Sequence, residues 1–426
     1  MEAPLLRGTP LHPRTSQLCQ AQNWRRWAGY VVAGSYELLH EREYFAIRTT
    51  AALIDVSPLY KYQVTGPDAE RFLNRLIPRD VERCAVHQVL YTPWCDDAGK
   101  VIDDGTVARL DPDAFRLTSG EPNLRWLQDV AAGLAVTIGD ISESLAALAL
   151  QGPASREILQ RLSDASLADL RFFRLTHALV AGIPTTITRT GYTGDLGYEL
   201  WVEPDQAIPL WDRLTDAGAG YGLLPAGMLA LDVARIEAGL PLIDVDYIPS
   251  NKALIEQQKS SPYELDLGWT VRLDKGPFVG RQALVAEEAR GPAWRFTGLE
   301  VAWDSIEGLY AELGLPPALP LTAWRVSVPV YSKGEQVGYA TSGCWSPILK
   351  RYIALAHLRS AWAEPGTELE MEVTVEHRRR RAAVRVVRKP FFDPPRKRAL
   401  PGAEGVRGVS GSAPASGAPS GAGDAG

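Results

Sequence analysis

Apolar and polar positions along this chain follow two periods, and their order predicts a mixed fold. In Tyr198–Val202 successive side chains alternate between two faces, which predicts a strand. In Asp205–Ala217 apolar residues recur at helical spacing and share one face, which predicts an amphipathic helix. Helices are also predicted over Ser35–Thr49 and Gly222–Gly239. Because helices alternate with paired strands, the pattern indicates an α+β body and not a doubly wound sheet.

From Phe296 onward the pattern changes to short alternating stretches, which predict a small antiparallel barrel. The predicted strands are Thr297–Val301, Val326–Tyr331, Gln336–Ser342 and Thr367–Val375. The chain therefore divides into an N-terminal arm (1–33), an α+β body (34–290), a barrel (291–393) and a tail (394–426). We expect the tail to be disordered, because its last 26 residues are almost entirely Gly, Ala, Ser and Pro.

Length, charge and cysteine spacing give no indication of nucleic-acid or membrane partners, or of metal or disulfide frameworks. A chain of 426 residues with 46% hydrophobic residues can bury a large core, and its net charge of -6 gives no reason to expect nucleic acid or a membrane surface as a partner. No apolar run approaches the roughly 18 residues of a membrane helix. The basic run His377–Arg381 lies beside an acidic strand, which favours a hairpin with solvated charges over a nucleic-acid site. Four cysteines without CxxC spacing fit reduced thiols in a cytoplasmic protein.

The stretch before the strand at Tyr198 is a candidate binding site. Gly191, Gly194 and Gly197 let the backbone turn tightly and approach a ligand. Glu199 follows the last turn, where a carboxylate can accept hydrogen bonds from a flat heterocycle. An ordinary hairpin with a surface glutamate explains the same spacing equally well.

Two further groups of acids stand out. Asp103 and Asp104 follow a hairpin turn and face opposite sides of a strand, so one can point into a cavity while the other is solvated; the alternative is two solvated acids. Asp244 and Asp246 are predicted to face one cavity mouth and steer a cationic amine, with Tyr247 supplying a ring face. Since no His or Cys is near these carboxylates, no metal site is predicted.

Several motifs, in order, resemble the aminomethyltransferase family, the folate-dependent T-protein of glycine cleavage and its divergent relatives, including tetrahydrofolate-dependent demethylases. The motifs are GxxxDD at Gly99–Asp104, QGP at Gln151–Pro153, GYTGxxGYE at Gly191–Glu199, a helix ending in EAG at Glu237–Gly239, and TSGxxSP within Ala340–Lys350. The resemblance spans about Tyr44 to Lys389. It implies an α+β body in two intertwined parts, a C-terminal barrel and a central channel for tetrahydrofolate.

The resemblance also implies a function, a tetrahydrofolate-dependent one-carbon transferase acting on a small amine or methylated donor. Asp103 corresponds to the family's catalytic carboxylate in this reading. Residues expected to bind the folate are Tyr91, Ser119, Tyr192, Glu199 and Arg235. A carrier protein as an additional partner is left open.

Three departures from the family pattern concern the expected pocket. Pro58-Leu59 replaces a His-Met pair, so Pro58 is expected to line the donor side. Ser119 occupies the position of a pterin-contacting asparagine, and Leu231 replaces an arginine with its rigid donor fork. These departures keep two alternatives open: a folate-binding regulatory or maintenance protein without transferase activity, and a binding module for another heterocycle.

Overall fold

The computed structural model describes residues 6–401, and residues 1–5 and 402–426 lie outside the described part. Most of the tail predicted to be disordered therefore falls outside it. The described helices are α1 (His12–Leu18), α2 (Glu41–Thr49), α3 (Ala69–Leu76), α4 (Leu124–Val130), α5 (Ser155–Leu162), α6 (Ala207–Gly218), α7 (Met228–Glu237), α8 (Arg281–Arg290) and α9 (Trp303–Ala311).

The strands precede, connect and follow these helices along the chain. They are β1 (Arg7–Gly8), β2 (Asn23–Trp27), β3 (Tyr30–Ser35), β4 (Ala51–Asp55), β5 (Tyr60–Thr65), β6 (Val89–Cys95), β7 (Val101–Asp111), β8 (Ala114–Ser119), β9 (Thr137–Asp140), β10 (Ala146–Gln151), β11 (Leu175–Val180), β12 (Ile183–Thr188), β13 (Gly197–Val202), β14 (Leu223–Pro225), β15 (Trp294–Val301), β16 (Val328–Ser332), β17 (Glu335–Ser346), β18 (Arg351–Arg359), β19 (Glu368–Val375) and β20 (Arg378–Val387).

Two sheets form the body, and each carries helices on its outer face. The first sheet has the order β11-β12-β13-β10-β4-β14, and α5 and α6 pack on it through Leu159, Leu210 and Leu214. The second has the order β6-β7-β8-β5-β9, and α3 and α4 pack on it through Phe72 and Leu127. Both groups of helices bury one apolar stripe, as the period of 3.6 residues requires.

The inner faces of the two sheets meet over part of their area, while the rest of the first sheet's inner face packs on Ile47 of α2 and Ala230 of α7. The Arg116 guanidinium of β8 lies 3.9 Å from the ring centroid of Trp201 of β13. Ala108 of β7 packs in one cluster with Leu175 of β11. The space between these faces, here called the inter-sheet recess, therefore takes the side chains that alternate away from the two helix-backed cores.

The predicted antiparallel barrel is confirmed. It is closed, with the order β15-β18-β17-β16-β19-β20, and it packs on α7 in one apolar cluster that joins Leu231 to Cys344 and Ile353. The basic run predicted as a solvated hairpin forms β20, where Arg379 and Arg381 pair with Glu372 and Glu370 of β19. The α+β fold with a C-terminal barrel is the observed architecture.

Some predicted element bounds were wrong. The helix expected from Ser35 begins only at Glu41, since Leu38 and Leu39 are 79% and 57% exposed and bury no stripe. The helix expected from Gly222 starts at Met228, because β14 occupies the preceding residues.

The two ends of the described chain are more structured than the sequence suggested. Residues 6–35 form α1 and a three-stranded sheet of order β1-β3-β2, and Leu11 is fully buried in the core of the first large sheet. The first residues of the predicted tail bind the glycine-rich loop, because Arg396 Nε and Nη2 donate to both carboxylate oxygens of Asp195 at 2.7 and 2.8 Å.

Candidate active site in the inter-sheet recess

In the inter-sheet recess, the Asp104 carboxylate lies between the hydroxyl groups of two tyrosines. Its Oδ2 accepts a hydrogen bond of 2.7 Å from the hydroxyl of Tyr91, and its Oδ1 accepts one from the hydroxyl of Tyr247. Burial raises the pKa of Asp104, and the two hydroxyls partly oppose this shift. Asp104 nevertheless keeps part of its surface accessible, unlike its fully buried neighbour Asp103.

Asp103, the residue expected to be catalytic, lies on the other face of β7. It is paired across the sheet with Trp94 and is 1% exposed. Its Oδ2 accepts hydrogen bonds from the Glu121 backbone N–H at 3.0 Å and from Asn123 Nδ2 at 2.7 Å, and its Oδ1 accepts one from the Asp104 backbone N–H. Burial and the neighbouring Asp104 charge raise the pKa of Asp103 well above its usual range.

This arrangement corrects the expectation for the acidic pair. Neither carboxylate is solvated as one was expected to be, and the side chain that reaches the tyrosines belongs to Asp104. The alternation of the strand explains the result, since adjacent residues of one strand project to opposite faces. Asn123, which holds Asp103, was not identified from sequence and carries no motif of its own.

Glu199 lies on the opposing sheet and is held by the threonines before the glycine loop. Thr190 Oγ1 donates a hydrogen bond of 2.6 Å to Glu199 Oε2. Within residues 6–401 Glu199 forms no ion pair, although it remains partly accessible. Burial raises its pKa, and Thr190 and the Arg116 charge oppose that shift. The alternative of a surface glutamate on an ordinary hairpin does not fit these surroundings.

The glycines of this loop are required by close packing. Gly194 has a φ of +74°, and a Cβ added there would lie 2.5 Å from the Ala238 Cβ. A Cβ on Gly191 or Gly197 would approach the Gln151 side chain to 2.1 or 2.3 Å. The loop can therefore reach its position beside the helix and the Gln151 amide only with glycine at these sites.

Aromatic rings line the route to Asp104. The ring of Trp269 stacks on Tyr91 with centroids 6.3 Å apart, and Trp269 is 55% exposed. The hydroxyl of Tyr192 donates to the Pro241 carbonyl, and Asp104 is among the charges that, after burial, raise the pKa of Tyr192. Tyr91 and Tyr192 are thus both close to Asp104, and their folate contacts stay predictions. Trp269 adds an exposed ring that sequence reasoning missed.

Two predicted folate contacts have most of their polar side-chain atoms engaged elsewhere, and Arg235 Nη2 is the one that has no hydrogen-bond partner within residues 6–401. The Ser119 hydroxyl donates to the Glu121 carbonyl at 2.7 Å. Arg235, which is 1% exposed, pairs with Asp232 at 2.8 Å and with Asp246, and so connects α7 to the loop before the barrel. Burial lowers the pKa of Arg235, but its two carboxylate partners raise it more, which is the signature of a fixed ion pair.

The two aspartates predicted to bind the one-carbon donor are separated in space. Asp244 is exposed, with a side-chain exposure of 48%, whereas Asp246 is buried and accepts hydrogen bonds from Thr341 and Ser342 of the barrel. The expectation that both aspartates face one cavity mouth is therefore wrong. The turn at Asp244, where φ is +62°, reverses the chain and turns the two side chains apart.

Tyr247 and Pro58 also differ from their expected surroundings. The Tyr247 hydroxyl donates to Asp104, so the ring belongs to the recess, and Tyr247 contacts Asp244 through its backbone carbonyl, which accepts a hydrogen bond of 2.9 Å from the Asp244 N–H. Pro58 is buried in the loop between β4 and β5, whose Ser57 carbonyl accepts a hydrogen bond of 2.7 Å from Lys61 Nζ.

Comparison with known proteins agrees with this architecture. The family model described as the GCVT N-terminal domain matches residues 12–275, and the model described as the glycine cleavage T-protein C-terminal barrel domain matches residues 318–393. The chain belongs to the glycine cleavage T-protein family. Among its relatives, an aminomethyltransferase of Moorella thermoacetica is 34% identical over 396 residues, covering 92% of this chain and 99% of the relative.

Other members of the glycine cleavage T-protein family give the same picture. An aminomethyltransferase of Halothermothrix orenii is 34% identical over 354 residues, covering 82% of this chain and 90% of that relative. The crystal structure of the glycine cleavage system aminomethyltransferase T from Bartonella henselae shares the fold, with a TM-score of 0.77 at 24% identity over 91% of this chain and 99% of that one.

Residues 6–401 contain neither a membrane-spanning helix nor a metal-binding cluster. No helix in this part of the chain is long and apolar enough to span a bilayer. No group of three or more His, Cys, Asp or Glu side chains in the same residues is arranged to hold a metal ion.

Proposed function

We propose that this protein is an aminomethyltransferase that moves a one-carbon unit from an amine-bearing donor to tetrahydrofolate, which binds in the inter-sheet recess. The observation that supports this proposal best is the Asp104 carboxylate, held by Tyr91 and Tyr247 and facing a recess whose opposite wall carries Glu199. Family membership and the aminomethyltransferase relatives support the same reaction class.

The residues of the recess fit a reduced pterin as substrate. A pterin ring presents two neighbouring N–H donors on one edge, which suit the two oxygens of the Glu199 carboxylate. Tyr91 and Tyr192 can wall its faces, and Trp269 at the exposed end can contact the aromatic ring that follows the pterin. In this arrangement the reactive side of the pterin is directed toward Asp104.

Asp104 then serves the transfer itself. As the donor carbon leaves its first partner it develops positive charge, and the folate nitrogen that attacks it must lose a proton. A carboxylate beside both groups stabilises that charge and can accept that proton. Its pKa, raised by burial, brings it closer to the pKa of an efficient proton acceptor. The sequence comparison assigned this role to Asp103, and the geometry favours Asp104.

The identity of the one-carbon donor stays a prediction. An amine, a methylated compound and an aminomethyl group on a lipoyl-bearing carrier protein all fit the chemistry. The replacements at Pro58 and Leu231 lie where the family pattern places pocket residues, so they are the positions at which we expect donor selectivity to differ. The predicted cytoplasmic location also stays a prediction; the four cysteines are free and buried.

One experiment tests the proposal against its alternatives. Tetrahydrofolate binding is measured at equilibrium, and one-carbon folate products are then measured with each donor class. Binding followed by turnover supports the transferase. Binding without turnover on any donor would indicate the regulatory alternative, and absence of binding would indicate a site for another heterocycle.

A further inference from the structure

Arg116 is a buried arginine without a hydrogen-bond partner. It is 4% exposed, and the central carbon of its guanidinium lies over the Trp201 ring, 3.9 Å from the ring centroid. None of its donors bonds to an acceptor in residues 6–401, and its Nε is fully enclosed. A buried cation with five unused donors is costly unless another group satisfies it, and cation–π contact with one ring offsets only part of that cost.

The nearest charge of opposite sign is Glu199, across the recess. The two groups influence each other, since Arg116 opposes the rise in the pKa of Glu199 and Glu199 opposes the fall in the pKa of Arg116. No nitrogen of Arg116 comes within 4.0 Å of a carboxylate oxygen in the described residues, however. Two basic side chains, Lys61 and His177, also lie within electrostatic reach of Arg116, and neither forms a hydrogen bond with it in residues 6–401. The guanidinium and the carboxylate are therefore close enough to influence each other but are not in direct contact.

We propose that Arg116 is the residue that selects for the 4-oxo group of the pterin, donating hydrogen bonds to that oxygen while Glu199 accepts from the adjacent ring N–H and 2-amino groups. This assignment rests on the proposed function, because it places the pterin edge in the recess. The side-chain pair would then recognise the donor–donor–acceptor order of one heterocycle edge.

The chemistry explains why both charges remain unpaired within the protein. A carboxylate alone recognises the two donors but does not distinguish the group that follows them. A guanidinium can donate hydrogen bonds to an oxygen at that position. It disfavours an amino group there, because two donors would then face each other with no acceptor. A site built from such groups discriminates more strongly than an apolar pocket does.

The test compares tetrahydrofolate with its 4-amino analogue, in which the 4-oxo group is replaced by an amino group. We expect wild-type protein to bind tetrahydrofolate more tightly. In Arg116→Gln the Kd of tetrahydrofolate should rise by about 10- to 100-fold, the usual range for losing a hydrogen bond to a charged group. The Kd of the 4-amino analogue should change by less than about threefold, so the preference for tetrahydrofolate should shrink by about the factor that its own Kd rises. A residual preference should remain, because the 4-amino analogue has no N3–H to donate to Glu199. Arg116→Lys keeps the charge and should retain part of the selectivity.

Arg109→Gln is the matched control. Arg109 lies on the neighbouring strand and also stacks on a ring, that of Phe115, but its guanidinium is already bonded to the Cys84 and Pro112 carbonyls and to Glu70. Its substitution should lower the melting temperature without changing the selectivity ratio. A thermal melt of each variant separates lost folding from lost recognition.

The outcomes distinguish this inference from the proposed function. If wild-type protein binds no reduced folate, the proposed function itself fails. If wild-type protein binds tetrahydrofolate but does not prefer it over the 4-amino analogue, Arg116 does not select the oxygen. A folded Arg116→Gln or Arg116→Lys variant with wild-type selectivity likewise overturns the inference and leaves the function intact.

Discussion

Asp103 and Asp104 are adjacent in sequence and lie in different environments on opposite faces of β7. Asp103 accepts three hydrogen bonds from the loop of Asn123 and its own strand, whereas Asp104 accepts its bonds from the hydroxyls of Tyr91 and Tyr247 in the recess. One carboxylate fixes the loop, and the other is the one that we propose contacts the ligand. This division makes the pair separable by mutation.

Asp104→Asn should lower kcat by about 100- to 10,000-fold, because it removes the charge and the proton acceptor at the reacting atoms. The Kd of tetrahydrofolate should stay within a few-fold, since Glu199 and the aromatic walls are unchanged. Asp103→Asn should instead destabilise the fold by about 1–3 kcal/mol, because an amide N–H would face existing donors. Single-turnover kinetics and urea unfolding measure the two effects. The reverse pattern would restore Asp103 as the catalytic carboxylate.

Tyr247→Phe should move the acid limb of the kcat/KM profile to higher pH. Burial raises the pKa of Asp104, and the Tyr247 hydroxyl is the first of two groups that lower it, so its loss lets the pKa rise further. Tyr91→Phe should act in the same direction. Tyr263→Phe is the control, since its hydroxyl faces the exposed Glu288. An unchanged acid limb in both recess variants would mean that Asp104 does not control it.

Glu199→Gln should weaken tetrahydrofolate binding by about 10- to 100-fold at neutral pH, the cost of a lost charge-assisted hydrogen bond. In wild-type protein, affinity should fall as pH drops through the pKa of Glu199, which burial raises above its usual 4.5. The variant should show no such fall. Tryptophan fluorescence titrations across pH provide the Kd values, and Glu203→Gln, on an exposed residue beyond the same strand, should behave as wild type.

Arg235→Met should destabilise the protein by about 3–5 kcal/mol, because it leaves Asp232 and Asp246 buried without their shared cation. We expect folded variant to bind tetrahydrofolate within a few-fold of wild type, since the Arg235 guanidinium is held by these two partners. Arg325→Met is the comparison, as Arg325 pairs with Asp232 but is 41% exposed. It should cost no more than about 1 kcal/mol. A large loss of affinity in a stable Arg235 variant would return Arg235 to the folate site.

Lys61→Met should remove part of the stability gained at alkaline pH. Burial lowers the pKa of Lys61 from 10.5 to about 8. Between those values the unfolded state binds more protons than the folded state, so the free energy of unfolding rises with pH. The wild-type curve should therefore rise relative to the variant between about pH 8 and 10.5, by at most about 3 kcal/mol. Urea unfolding of both proteins at each pH measures this difference. If the free energy of unfolding changes with pH equally in the two proteins, the prediction is contradicted.

The amino-acid sequence determined much of this protein by itself. Local spacing of apolar residues predicted the alternation in β13, the apolar stripe of α6 and the short strands of the barrel. These elements form because the period of a strand or helix fixes which side chains share a face, whatever the rest of the fold is. The glycines at Gly191 and Gly194 were also identifiable, because a backbone that must pass close to other atoms requires glycine whatever its partners are. Family motifs directed attention to Glu199 and to the Asp103-Asp104 pair, whose roles in the site stay predictions.

Tertiary structure decided which polar groups were available for chemistry. Arg235 resembled a folate contact in sequence but is held by Asp246, which approaches only when the loop after α7 folds against the barrel. Arg116 and Trp269 belong to no sequence motif. Arg116 contacts Trp201 on the other sheet, and Trp269 stacks on Tyr91, which lies 178 residues earlier in the chain. Spacing along a chain shows which face a side chain takes, whereas its hydrogen-bond partners are set by elements that meet only after folding.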